Sequence, residues 1–195
     1  MEMMFGSAIH DGLSGKLSDA EVEAYLQQHH FTGDYIRVAN EILKKKFDII
    51  HKELKLYIDW PDFSLACVLD GLNEDEIVEH KTTKNGWRTQ QDVDDHGQLT
   101  LYALAHQILT GVIPRITLNR LDTGNGRVKT YTSTRNGEQL NAMMNELVSM
   151  YKELKELGWW HRRQMRSEFY IKECKADTQK FLLWRNTLQS TTAKS

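Results

Sequence analysis

The sequence predicts an α/β fold, a central mixed β-sheet of about five strands flanked by helices. Three observations carry that prediction. The spacing of apolar residues changes from helical to strict alternation near residue 53, then returns to helical spacing near residue 91. The alternating segments are joined by short polar turns, first in a set of three and later as a pair. A chain of 195 residues, 40% apolar and 27% charged, is large enough for one buried core without disulfides or metal staples.

The elements follow in order. Ser18 and Glu21 stand three apart, the signature of a reciprocal capping box, and open a helix to about Gln28. Ile36, Ala39, Ile42, Leu43 and Phe47 fall near helical spacing, so a second helix is expected over Tyr35 to Ile50, with Lys44 to Lys46 on its solvated face. In "ELKLYIDW" Leu54, Leu56, Ile58 and Trp60 alternate with polar neighbours, as in a half-buried strand that Pro61-Asp62 breaks. "SLACVLD" (64–70) is nearly continuously apolar and reads as a central strand. "LNEDE" is a turn, and "IVEHKTT" (77–83) the third strand. Residues 91–110 read as one helix with Gly97, Leu101, Leu104, Ala105 and Ile108 on a face, ended by Gly111 and Pro114. "ITLNRL" and "RVKTYT" form a hairpin through "DTGNG". A long helix from about Asn136 to Leu157 closes at Gly158, and the basic, aromatic tail carries a short helix around 177–188. No repeat or linker interrupts the chain, so one domain is expected over 1–195: helices in 1–50, a core in 51–157, and a tail in 158–195.

Composition excludes several functions. No apolar run approaches the ~18 residues of a membrane span, and the N-terminus lacks a basic-then-apolar leader. Cys67 and Cys174 are far apart and form no CxxC, which argues against a disulfide framework or a thiolate metal site and suits a reducing compartment. The formal charge of −2 gives no global attraction to nucleic acid, so such a partner needs a local basic face.

The stretch "VLDGLNEDEIVEHKTTK" (68–84) concentrates the chemistry. Side chains two apart on a strand share a face, so Glu79 and Lys81 point the same way. With Asp70 opposite Ile77 across the hairpin, Asp70 lies diagonal to Glu79. Two carboxylates held that close repel unless a cation intervenes, and Mg²⁺ is the usual remedy, taking oxygen ligands and leaving room for water and phosphate. Such an ion neutralises charge on a phosphodiester, and Lys81 could hold the attacking water or the developing charge. The E-x-K pattern alone is weak, because it recurs at Glu53/Lys55, Glu153/Lys155 and Glu173/Lys175. Only the Glu79 pair follows a strand that ends in Asp.

Two further motifs flank the hairpin: Gly6-x-x-x-His10 in "GSAIH", and Gln98-x-x-x-Tyr102 in "QLTLY". In this order, over roughly residues 5–160, the set resembles the RecB-like branch of the PD-(D/E)XK nuclease superfamily, which includes phage, CRISPR-associated and mitochondrial exonucleases. The resemblance implies a restriction-endonuclease-like core, with Asp70 and Glu79 as metal-binding carboxylates, the backbone carbonyl of His80 as an additional ligand, and Lys81 as the catalytic lysine. It implies that His10 is a helical nitrogen ligand, which makes Mn²⁺ a good substitute for Mg²⁺, and that Gln98 and Tyr102 line the site. Gln91, Asp95, Gln98 and Tyr102 also fall at helical offsets and form one stripe. Gly6 stands almost at the start, so the segment that usually precedes this helix is missing, as in a compact viral form or a trimmed chain. The clustered cysteines of iron–sulfur relatives are missing too, and Leu69-Asp70 replaces the Pro-Asp.

The expected partner is DNA, as single strands or duplex ends, with a helicase or recombination protein as a further candidate partner, and no membrane. Phosphate contacts would come from Lys84, Arg88, Arg115, Arg120 and the "HRRQMR" of 161–166. Trp87, in the loop leaving the E-x-K strand, is favoured over Trp159 and Trp160 for stacking on unpaired bases. The reading is a Mg²⁺- or Mn²⁺-dependent DNA exonuclease of replication, recombination, repair or phage DNA processing, in the cytoplasm of a bacterial, phage-infected or archaeal cell, or in an organellar matrix. The alternatives are a nuclease-like module that binds DNA or protein without cutting, and a restriction-type endonuclease.

Overall fold

The structure, a computed structural model, describes residues 2–45, 47–84, 89–157 and 168–192. Helices α1 (Glu2–Ser14), α2 (Asp19–Gln28) and α3 (Gly33–Leu43) open the chain, followed by β1 (His51–Asp59), β2 (Ser64–Leu72) and β3 (Glu76–Thr83). Helices α4 (Gln90–Asp94) and α5 (Gly97–Thr110) lead to β4 (Arg115–Asp122) and β5 (Val128–Ser133), and α6 (Gly137–Glu156) and α7 (Glu168–Thr192) complete the fold. The strands form a five-stranded mixed sheet in the order β1-β2-β3-β4-β5, flanked by helices, as the sequence predicts. No helix among the described residues is long and apolar enough to cross a membrane.

The chain divides into two compact units. The first comprises residues 1–53, 70–95 and 116–133. Its core packs α1, α2 and α3 through Phe5, Ile9, Val22, Leu26, Val38 and Ile42, with Leu121 of β4. Phe5, Phe31 and Tyr35 form an aromatic cluster with ring centroids 5.3 to 6.0 Å apart. The Ser18–Glu21 capping box is present, and Glu21 Oε2 accepts from the Ser18 N–H at 2.8 Å. α3 ends at Leu43 rather than reaching Ile50. At the far end of the expected span the Asn73 side chain accepts from the Ile50 N–H (3.0 Å) and donates to the Asp48 carbonyl (3.3 Å), holding that backbone outside the helix. Phe47 accordingly leaves the helical stripe and packs on the His80 ring at 4.5 Å.

The β2–β3 register is Gly71↔Val78 and Leu72↔Ile77, so Ile77 pairs with Leu72 and not with Asp70. Both strands run further into the turn than "LNEDE" implied, because Asn73 N–H bonds the Glu76 carbonyl and tightens the connection. Carried one residue on, this register sets Asp70 directly across from Glu79 instead of diagonal to it. The expected helix over 91–110 is two helices. α4 closes at Asp95, and Thr89 and Asp92 cap its start. Gln90 donates to the Thr132 carbonyl (2.8 Å) and Ser133 to Asp94 (2.6 Å), which binds α4 to β5. Gly97, a poor helix former, begins the next helix. The Gln91–Asp95–Gln98–Tyr102 stripe is therefore broken into two hydrogen-bonded pairs.

The second unit comprises residues 54–69, 96–115 and 134–195. Leu54, Leu56 and Ile58 are buried as the alternation requires. On β2, burial of Cys67 and Leu69 alternates with an exposed Val68, so this strand is less enclosed than its apolar run suggests. α5 buries Leu99, Ala103, Leu104, Ala105 and His106; of the expected face Leu104 and Ala105 are buried and Ile108 is exposed, and Gly111, with φ +77°, ends the helix in the left-handed conformation. Arg135 is buried and donates to the Thr100 hydroxyl at 2.7 Å. α6 begins at the Asn136–Gln139 capping box. α7 is far longer than the 177–188 expected, and it serves the backbone of β1: Thr178 Oγ1 accepts from the Tyr57 N–H at 2.8 Å, and Glu173 and Lys175 pair with Lys55 and Asp59. A polar sequence gives no amphipathic signal for a helix held this way. Cys67 and Cys174 are buried free thiols, and burial pushes Cys67 up to about 12.

Candidate active site

His10, Asp70, Glu79, His80 and Lys81 meet within the first unit. α1 buries Phe5, Ala8 and Ile9 in the three-helix core, which leaves Gly6 and His10 toward β3. A Cβ on Gly6 would lie 2.7 Å from Thr82 Oγ1, and the His10 and His80 rings are 6.4 Å apart. Helix residues four apart rise about 6 Å, and strand residues two apart about 6.7 Å. Gly6-x-x-x-His10 thus matches Thr82 and His80 step for step, and glycine is what permits the close approach.

His10 Nδ1 is 3.4 Å from Asp70 Oδ2, and the same oxygen accepts from the His80 N–H at 2.8 Å. Glu79 Oε1 is 2.7 Å from Lys81 Nζ, the i, i+2 pairing that the strand geometry predicts. Glu79 is only 2% exposed, and its Oε2 is buried with no hydrogen-bond donor among the described residues. Burial, then the Asp70 charge, push Glu79 up to about 7 against the pull of Lys81. Burial opposes ionisation of Asp70 as well, but the hydrogen bond and charge of His10, with the His80 N–H, hold it below the usual carboxylate range. Burial alone would pull His10 down; its bond to Asp70 and the nearby acids raise it instead. The His80 ring is buried, both nitrogens lack partners among the described residues, and burial lowers it to about 4.

Among the described residues, no three His, Cys, Asp or Glu side chains are gathered closely enough to hold a metal ion as they stand. Mg²⁺ sites commonly rest on one or two carboxylates completed by water and phosphate, so a third protein ligand is not required. Two hard carboxylates side by side, one with a buried unsatisfied oxygen, fit such an ion in kind.

Gln98 and Tyr102 belong to the second unit, where Gln98 Nε2 donates to the Tyr102 hydroxyl at 2.8 Å. Lys84 is exposed just past β3, and Arg115 is exposed at the start of β4. Arg120 pairs with Asp122 at 3.4 Å. Trp87, Arg88, Gly158, Trp159, Trp160 and residues 161–166 lie outside the described residues.

Sequence reasoning passed over Glu53. It lines, with His10, Asp70 and His80, a space of about 10 Å³, enough for about one water. Its φ of +48° is costly for a side chain of this kind, on the order of 1–3 kcal/mol. Lys16 holds it at 2.5 Å. Alternation gives no hint of this, because Lys16 returns to β1 from the loop after α1 and only the tertiary fold joins them.

The fold has a counterpart among solved structures. The crystal structure of a candidate exonuclease from Eubacterium rectale matches over 80% of this chain and 67% of its own, with a TM-score of 0.54 at 12% identity. No protein-family model matches the chain, and no curated protein matches it. The two structures share an α/β fold.

Proposed function

We propose that this chain is a divalent-metal-dependent deoxyribonuclease of the RecB-like PD-(D/E)XK branch, an exonuclease acting at DNA ends or on single strands. The observation that carries the reading is Glu79: a buried carboxylate with an unsatisfied oxygen, across from Asp70 and bonded to Lys81. A purely structural salt bridge has no need of the second acid.

Asp70 and Glu79, with His10 and the His80 carbonyl beside them, would hold Mg²⁺ or Mn²⁺. When bound, the ion supplies positive charge at the scissile phosphate. The Lys81 amine, partly exposed and two positions from Glu79, is the group suited to orient the attacking water and to offset charge on the phosphate oxygens. His10 and the His80 N–H keep Asp70 ionised and fix its orientation. Lys84, Arg88, Arg115 and Arg120 serve the DNA backbone and Trp87 an unpaired base. The setting is replication, recombination, repair or phage DNA processing, with a helicase or recombination protein as a possible partner and the cytoplasm as the compartment.

The test is incubation of end-labelled and circular DNA with Mg²⁺ or Mn²⁺ and with chelator. Metal-dependent loss of the end label is expected, and Lys81→Ala should abolish it while the protein melts as the wild type does. Intact DNA from folded wild-type protein under all conditions refutes the reading. One observation favours a second reading, a DNA- or protein-binding module that does not cut: at rest the carboxylates are paired with His10 and Lys81. Calorimetric titration separates the two, since such a module has no divalent site for Asp70→Asn to remove.

A further inference from the structure

We infer that the groove beside His10 holds the nucleoside adjoining the scissile phosphate, so that the substrate is an unpaired strand. The inference rests on the nuclease reading above and names its substrate. The groove, of about 640 Å³, is lined by Met3, Gly6, Ser7, His10, Asp11 and Thr82, all of the first unit. That volume is within the range of ligand clefts. His10 belongs both to the groove and to the carboxylate cluster, so a strand cut at the cluster has its neighbouring residue here.

The lining decides which part of a nucleotide fits. None of the described lining residues is Lys or Arg, His10 is already paired with Asp70, and Asp11 is an acid, so a phosphate finds little counter-charge there and one repulsive neighbour. Met3 is 87% exposed and offers an apolar, polarisable surface to the face of a base. The Ser7 and Thr82 hydroxyls and the Asp11 carboxylate offer donors and acceptors to a base edge or sugar. Gly6 keeps the floor open, since a Cβ there would meet the Thr82 hydroxyl at 2.7 Å. A base inside a duplex has its Watson–Crick edge occupied and both faces stacked, so contacts of this kind favour an unpaired one.

The experiment measures fluorescence anisotropy of a short 5′-labelled single-stranded oligonucleotide and of its blunt duplex in Ca²⁺, together with cleavage in Mn²⁺. Ser7→Phe fills the groove from an exposed position and should weaken single-strand binding about tenfold or more, a change of about 1.4 kcal/mol or more. Wild-type protein should bind the blunt duplex at least about tenfold more weakly than the single strand. Met3→Asp, which removes the apolar surface without adding bulk, should weaken the single strand as well. Calorimetric Mn²⁺ affinity should be unchanged in both variants. Equal binding of single strand and duplex, or wild-type single-strand affinity in both variants, overturns the inference. Weakened binding in the variants with no cleavage by any protein supports the groove and overturns only the hydrolytic reading.

Discussion

Glu79→Gln should stabilise the metal-free protein while removing its activity, and the reason is electrostatic. A carboxylate normally near 4.5 is pushed up to about 7 by burial and by Asp70. At about 1.4 kcal/mol per tenfold change in proton affinity, ionised Glu79 costs the folded state on the order of 3 kcal/mol. The sign follows from proton counts: between 4.5 and 7 the folded state holds a proton that the unfolded state has released. Stability is therefore fully present below about 4.5 and is lost as pH rises through about 7. Glutamine keeps the neutral shape at every pH. It forgoes the Lys81 ion pair, but Lys81 is 30% exposed and water takes over its solvation. The net gain at pH 8 should be about 1–3 kcal/mol, or roughly 3–10 °C in melting temperature for a chain of this size. The assay is thermal melting of chelator-treated wild type and variant at pH 5 and pH 8. The variant should melt higher at pH 8 and near the wild type at pH 5, and added Mn²⁺ should raise only the wild type. A variant that melts lower than wild type at pH 8 would show that Glu79 is an ordinary stabilising salt-bridge partner, and the case for a cation between the two acids would fail.

The remaining predictions concern how the cluster is positioned. Gly6→Ala should push α1 from β3 through the Thr82 hydroxyl and lower Mn²⁺ affinity by calorimetry, and adding Thr82→Ala should restore part of it. Phe5→Ala should cost about 3–5 kcal/mol in denaturant melts, because the ring fills the three-helix core on the face opposite His10. Thr178→Val leaves the Tyr57 N–H without its acceptor and should cost about 1–3 kcal/mol, read as a lower urea midpoint at unchanged slope.

The strand period, the capping boxes and the Gly111 stop were legible because they are local: each is fixed by residues a few positions apart. The errors arose where distant side chains intervened. The backbone at Asp48 and Ile50, expected in α3, is instead bonded by the distant Asn73, and the 91–110 helix breaks because Thr132 and Ser133 hold its first turn. α7 runs far beyond the expected 177–188 because its stability comes from β1 and not from its own pattern. At the site, strand alternation alone pairs Glu79 with Lys81. The register differs from the expected one because Asn73 and Glu76, polar as they are, continue the ladder into the turn. Glu53 had no local signal, since its meaning comes from Lys16 and from a backbone conformation that composition does not encode.

The resting pairings leave room for the proposed chemistry. The Lys81 ammonium has three N–H donors and meets Glu79 through Oε1, while Glu79 Oε2 has no donor among the described residues and His10 and the His80 N–H both engage Asp70 at Oδ2. Neither the partner of Glu79 nor the backbone need change. Glu79 already lies across from Asp70, and the strand pair that carries them is fixed on either side of the turn by Gly71↔Val78 and Leu72↔Ile77. Any positive charge introduced between the two acids satisfies the buried Oε2 and lowers the proton affinity of Glu79, while Oε1 stays with the Lys81 amine. The raised proton affinity of Glu79 and its capacity to take a cation are thus one electrostatic property of the hairpin, set by the Asp70–Glu79 register.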